Sequence, residues 1–235
     1  MFPVFLFKKA LMIDNESIVS LLSGVVTEKR LERIEEILAQ RTRYITVVLE
    51  DIYQSQNASA VLRTCECFGI QDVHIVENYN TYNINPMVLK GSDKWLNIRR
   101  HNQSDNNSAE VAKGLKSEGY RIIATSLHEG SITLNNFDIS RGKCAIVFGN
   151  EHQGVSKHLL EQADEHLKIS MCGFTQSLNI SVSAGIVISQ LVQKMRSSVD
   201  WQLTSEEKEM IRTEWLKCSV KKSQMLINRL ESESK

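Results

Sequence analysis

The sequence predicts a parallel-sheet α/β/α sandwich with helical extensions at both ends, and three observations carry that prediction. Short apolar runs alternate with helical stretches between residues 44 and 197, glycines close two of the expected helices at Gly69 and Gly119, and the flanking segments 1–43 and 198–235 carry helical patterning. Strands covered on both faces read as continuous apolar runs, and regular alternation of strand and helix places them in one parallel sheet.

The elements follow in order. Residues 1–14 hold an apolar run ahead of Lys8 and Lys9, the reverse of a signal peptide's charge order, and read as a disordered or upstream-extended start. Leu31, Ile34 and Leu38 fall at helical spacing within 27–41, with Thr27 as cap, which predicts an amphipathic surface helix. Strands are expected at 45–52, 72–77, 120–127, 144–150 and 166–171, with helices at Ala58–Phe68, Ser108–Ser117 and Ser156–Ala163 between them. A long helix is expected from Leu178 to about Arg196, another near Ser205–Leu216, and a basic segment near Val220–Leu230. The apolar run Leu178–Val192 is shorter than the roughly 20 residues a membrane span needs, and Asn179 and Gln190 interrupt it. It reads as a buried helix.

Composition narrows the function. Among 235 residues, 28 Lys and Arg balance 28 Asp and Glu, so no whole-molecule field favours a polyanion and any nucleic-acid surface must be local. The five cysteines are scattered without a CxxC pair, which predicts reduced thiols in a cytoplasmic protein. His101, His128, His152 and His158 do not fall at metal-ligand spacing, and no metal is expected. Dinucleotide, phosphate-loop and HExxH motifs are absent, and the loop after the first strand, Tyr53-Gln-Ser-Gln-Asn57, contains no glycine. Polar and glycine residues gather instead at Gly149–Gly154 and Gly173–Asn179, each after an apolar strand. Ligands of open α/β sheets lie beyond the carboxyl ends of the strands, so these two loops are the candidate small-molecule site.

Three segments, Asn57–Gly69, Ile146–Gly154 and Ile169–Gly185, resemble in order and spacing the three motifs of the SpoU (SPOUT-class) RNA 2′-O-methyltransferases, over about residues 45–196. The Asn57-Ala-Ser-Ala60 form of the first motif, the Gly91–Trp95 segment and the helices at both ends are most similar to the branch that methylates guanosine in the tRNA D-loop. The resemblance implies a deep trefoil knot towards the C-terminal end, S-adenosylmethionine held in it, and a homodimer with active sites at its interface. The substrate it implies is tRNA. Methylation of rRNA or another tRNA position is the alternative within the class, and a catalytically silent RNA-binding knot protein is the alternative outside it.

The resemblance assigns Arg63, Asn57, Glu151, Ser177 and Asn179 to catalysis, and Thr125, Ser126, Leu127, Gly149, Ile169, Met171, Ser177 and Leu178 to the cofactor pocket. Taken singly, these residues have plainer readings. Asn57 suits an N-cap bonded near Ala60, Arg63 an ion pair with Glu66, Glu151 a loop carboxylate, and Met171 and Leu178 the core. An arginine keeps its proton, so Arg63 is expected to bind phosphate and stabilise a developing alkoxide, not to act as a base. Glu151 is expected to orient Asn57 or Arg63. Lys90, Lys94, Arg99, Arg100, Lys194, Arg196, Lys221 and Lys222 form local basic clusters suited to RNA phosphates.

Overall fold

Strand β1 (Ile45–Glu50) is buried at all six positions, which requires cover on both faces and a partner on each edge. It has both. The computed structural model describes residues 14–128 and 130–233, and the expected extended start lies outside them except for Asp14. Around β1 stand β2 (Asp72–Val76), β3 (Asn97–His101), β4 (Arg121–Thr125), β5 (Ile132–Thr133), β6 (Cys144–Phe148) and β7 (Glu165–Lys168), in one sheet ordered β3-β2-β1-β6-β4-β7-β5. Every pairing is parallel.

Alternate residues of β1 enter two separate cores. Ile45, Val47 and Leu49 pack with α3 (Ser55–Phe68) and α7 (Ile180–Ser198), through residues such as Val61, Leu62, Val187 and Leu191. Val48 packs on the opposite face with Val111 and Leu115 of α5 (Asn107–Ser117) and Leu159 of α6 (Lys157–Gln162). The result is the α/β/α sandwich expected from the sequence. Ser156 caps α6 by accepting from the Leu159 amide at 3.4 Å, and Gly69 closes α3 at φ 83°. A Cβ on Gly69 would come within 2.5 Å of the Gln40 carbonyl oxygen, so glycine is required there on two counts.

The observed strands end earlier than the apolar runs suggested, and the last residues of three runs, 126–127, 149–150 and 169–171, belong to the loops that build the site. Two strands were not anticipated. Asn97–His101 has the sequence NIRRH and no fully buried residue, as suits an edge strand with charged side chains, while β5 has only two residues. A one-turn helix, α4 (Pro86–Leu89), precedes a 3-10 turn at Ser92–Trp95, and both pack against α3.

The chain divides into two compact units, one spanning Gln40–Leu203 and the other combining Met1–Ala39 with Thr204–Lys235. In the second unit, α1 (Asn15–Ser23) and α2 (Glu28–Leu38) pack with α8 (Ser205–Ser219) and α9 (Ser223–Glu233). Asp14 caps α1, Thr27 caps α2, and Thr204 with Glu207 forms a capping box on α8. A two-pronged pair from Arg212 to Glu35, at 2.5 and 2.7 Å, joins α8 to α2. The expected helix over 27–41 stops at Leu38, and Arg41 is buried beyond it, donating to the carbonyls of Glu66, Ile70 and Trp95.

Candidate cofactor and catalytic site

Strands β1 and β6 lie side by side while the chain leaves them towards opposite edges of the sheet, which makes their carboxyl ends the switch point where a ligand crevice opens. The loop after β6 folds back sharply, with Asn150 and Gly154 exchanging main-chain hydrogen bonds at 2.9 and 2.8 Å. That turn depends on Gly149, where a Cβ would stand 2.2 Å from the Gly154 carbonyl carbon and the Val155 nitrogen. It presents Glu151 to the start of α3. The Glu151 carboxylate accepts from the amides of Tyr53 (2.8 Å) and Gln54 (3.1 Å) and from Nδ2 of Asn57 (2.8 Å). Oδ1 of Asn57 accepts in turn from Nδ2 of Asn179 at 3.1 Å, and Oδ1 of Asn179 accepts from the amide and hydroxyl of Ser181.

A continuous chain of hydrogen bonds therefore joins one residue from each of the three sequence segments. Burial pushes the Glu151 carboxyl up, but the bonds from Asn57, Tyr53 and Gln54 outweigh it and hold the group below the usual carboxylate range. Glu151 is an acceptor fixed in its ionised form. Asn57 is not the N-cap its position suggested: α3 begins at Ser55, with Gln54 in the cap position, and the Asn57 side chain is free to bridge Glu151 and Asn179. Asn179 is itself the cap of α7.

Beside this chain lies a cavity of about 690 Å³ lined by Thr125, Ser126 and Leu127 after β4, by Gly149–Val155 after β6, and by Ile169, Met171 and Gln176–Asn179 after β7. All eight residues expected to contact the cofactor line it, and so do Asn57, Glu151 and Asn179. Gln54 and Lys168 also line it, though neither falls within a motif segment, and so does His152 of the second segment, to which no role was assigned. Among the described residues, no main-chain or side-chain hydrogen bond is made within or to Ser170–Leu178. Amides and carbonyls with no protein partner, beside the side chains of Leu127, Ile169 and Leu178, suit a flat heteroaromatic ring bearing polar edges and a nucleoside-sized body. The residues present fit S-adenosylmethionine. No group of three His, Cys, Asp or Glu side chains among the described residues is placed to hold a metal ion.

Arg63 stands apart. It is exposed, lies outside the cavity lining, and is six residues beyond Asn57 on α3, about 9 Å of helix rise. It does not pair with Glu66, whose carboxylate faces Arg41 at 3.6 Å. The basic residues divide into two groups. Arg100 is engaged by Glu77 at 2.5 Å, Arg99 by Glu118 at 3.2 Å, Arg196 by Gln40 and the Trp201 ring, and Lys194 by the carbonyls of Leu134, Asn135 and Phe137. Lys90, Lys94, Lys221 and Lys222 are exposed, with no side-chain partner among the described residues.

The sheet, the switch-point crevice and the hydrogen-bonded motif residues define an α/β protein of the kind that binds a nucleoside cofactor in its late loops. The chain belongs to the SpoU rRNA methylase family, whose sequence model matches residues 44–189. A tRNA (guanosine(18)-2′-O)-methyltransferase of Borreliella burgdorferi is 44% identical over 215 residues, covering 91% of this chain and 96% of that one. The crystal structure of the Aquifex aeolicus TrmH/SpoU tRNA modifying enzyme superposes with a TM-score of 0.73 at 30% identity, covering 83% of this chain and 98% of that chain. An AdoMet-bound rRNA methyltransferase of Sinorhizobium meliloti shares the fold, with a TM-score of 0.57 at 22% identity over 69% of this chain and 60% of that one.

Proposed function

We propose that this protein transfers the methyl group of S-adenosylmethionine to the 2′-oxygen of a guanosine ribose in the D-loop of tRNA, the position its relatives' names give as guanosine 18. The observation that carries this reading is the hydrogen-bonded chain Glu151–Asn57–Asn179 at the edge of the nucleoside-sized cavity. When bound, the cofactor supplies an electrophilic methyl group on a sulfonium. The protein's task is to hold the ribose oxygen in line with that methyl and to stabilise charge as the hydroxyl proton leaves. Asn57 and Asn179 are locked in orientation by Glu151, and Ser177 lines the same cavity. Thr125, Ser126, Leu127, Gly149, Ile169, Met171 and Leu178 hold the adenosine part. Arg63 holds the RNA phosphate and the developing alkoxide.

A homodimer completes the site in this reading. It is supported by the position of Arg63 outside its own chain's cavity and by exposed apolar side chains near it, Tyr53, Phe174, Leu178 and Val182. Each Arg63 then serves the cavity of the partner subunit. A deep trefoil knot is supported by the strand order, in which the late strand β7 enters between β4 and β5, and by Lys194 of α7 fastening the 134–137 segment. The free cations Lys90, Lys94, Lys221 and Lys222 contribute RNA phosphate contacts, and the chain works in the cytoplasm without a bound metal. Among the described residues no helix is long and apolar enough to cross a membrane.

The test supplies purified protein with labelled S-adenosylmethionine and either unmodified tRNA or rRNA, then digests the RNA to nucleosides. Label in 2′-O-methylguanosine from the tRNA D-loop is the expected result. Label in rRNA alone selects the other substrate class, and binding of both ligands without transfer selects a silent RNA-binding protein. Arg63→Lys keeps the charge but loses the planar fork, so turnover should fall at least tenfold; near-normal turnover contradicts the role. Mixing Arg63→Ala with Asn179→Ala subunits should restore part of the activity if sites are shared.

A further inference from the structure

The loop between β2 and α4 presents a tyrosine ring to solvent on a backbone held with unusual firmness. Asp51, at φ 50°, turns its carboxylate into this loop, where Oδ1 accepts from the amides of Asn78 (2.8 Å), Tyr79 (2.8 Å) and Asn80 (3.2 Å). Its Oδ2 accepts from Nδ2 of Asn78 at 3.1 Å, and its carbonyl accepts from Nδ2 of Asn80 at 2.9 Å. The far side of the loop is held by Glu77, which accepts from the Tyr82 amide at 2.6 Å. Tyr82 is buried, with its hydroxyl on Ser59, yet the Tyr79 side chain between these anchors is 90% exposed.

The fixed backbone satisfies the Asp51 carboxylate, but holding the Tyr79 ring in water adds nothing to folding, since the ring buries nothing. It does give a preorganised flat surface. That surface belongs to the edge of the sheet where the reaction takes place: the Asp51 carbonyl also accepts from Nδ2 of Asn150 at 2.7 Å, beside Glu151, and Tyr53, two residues on, donates its amide to Glu151. The carboxylates of Asp51 and Glu77 are turned inward, and the loop is tied by the amides of Asn83 and Asn85 to Ser55 and Ser59 of α3, the helix that carries the exposed Arg63 and packs against the elements holding Lys90, Asp93 and Lys94. An exposed flat ring, with cations on the helix the loop is tied to and on the elements packed against it, suits an unstacked nucleobase whose phosphates follow the cations.

We propose that Tyr79 is a substrate-positioning residue, stacking on a base next to the methylated nucleotide and so aligning the target ribose. This rests on the RNA methyltransferase reading above and adds to it the contact that selects single-stranded RNA. Stacking on an aromatic side chain is worth roughly five- to a hundredfold in affinity per base.

The test compares Tyr79→Ala and Tyr79→Phe with the unsubstituted protein, measuring KM and kcat for unmodified tRNA, tRNA dissociation constants, the cofactor dissociation constant and Tm. Tyr79→Ala should raise KM and the tRNA dissociation constant about tenfold, while Tm and cofactor affinity stay within twofold or a degree of normal. Tyr79→Phe, which keeps the ring, should restore most of the loss. Unchanged tRNA affinity in Tyr79→Ala, or failure of phenylalanine to rescue, overturns the proposal. Were the unsubstituted protein to bind tRNA without methyl transfer, the parent reading would fail, and the dissociation constants would still decide Tyr79 by the same criteria.

Discussion

Two loops at the carboxyl edge of the same sheet are built in opposite ways. In the loop from Glu77 to Asn85, the amides of Asn78, Tyr79, Asn80, Tyr82, Asn83 and Asn85 all donate to side chains of Asp51, Glu77, Ser55 or Ser59. In the segment from Ser170 to Leu178, no hydrogen bond to another described residue is made at all. Unpaired polar groups are tolerated at a surface only because water or a ligand satisfies them. The first loop is finished by the protein, and the second is finished by what binds to it.

The largest effect should come from breaking the finished loop. Asp51→Ala strands three amides and the Asn78 side chain, so stability should fall by about 3 kcal/mol or more in urea titration. A loss under about 1 kcal/mol would mean that the loop holds its shape without the carboxylate. Next in size is the acid response of the same side of the sheet. Burial, then His101 at 3.0 Å and Arg99, push His74 down to about 3. The unfolded chain takes up this proton near pH 6.5 and the folded one does not, so stability is full above that pH and falls as pH drops from 6.5 towards 3. By pH 5 the loss should be about 2 kcal/mol, and His74→Gln should flatten that slope.

Glu151→Gln sits between the two regimes, because it keeps the shape of the side chain but replaces one acceptor oxygen with a donor. It should cost roughly 1 kcal/mol of stability and a larger share of activity. Because the folded Glu151 titrates below its ordinary value, its contribution is present above about pH 4.3 and is lost only as pH falls below that. Cofactor affinity should therefore be flat from neutral pH down to about 5.5. The smallest effect on stability belongs to the open segment: Ser177→Ala should change it by less than about 0.5 kcal/mol while lowering activity measurably.

The sheet was legible because its interior strands, such as CAIVF at 144–148, are apolar on both faces and leave a continuous run in the sequence. The edge strand Asn97–His101 was not, because only its register with β2 reveals that its arginines answer carboxylates on neighbouring elements. The same blindness affected the basic clusters: Arg100 reads as a free cation beside Arg99, yet Glu77 lies 23 positions away in sequence and 2.5 Å away in space. The motif residues were found by resemblance, and that resemblance told nothing of Asp51, which follows Glu50 at the end of β1 and whose importance lies in a left-handed backbone and three amides from elsewhere. Arg63 was assigned to catalysis by resemblance, but its place on the exposed side of α3, outside the cavity lining, is a property of α3's length and register, which no local spacing expresses.

Hydrogen exchange measured with and without S-adenosylmethionine tests the contrast between the loops most directly. Amides from Ser170 to Leu178 should exchange rapidly in the free protein and slow markedly once the cofactor is added, whereas those of Asn78, Tyr79, Asn80, Tyr82, Asn83 and Asn85 should be slow from the start and unchanged. Rapid exchange of the 170–178 amides at saturating cofactor, or protection appearing at some other edge of the sheet, would contradict the placement of the methyl donor in this cavity.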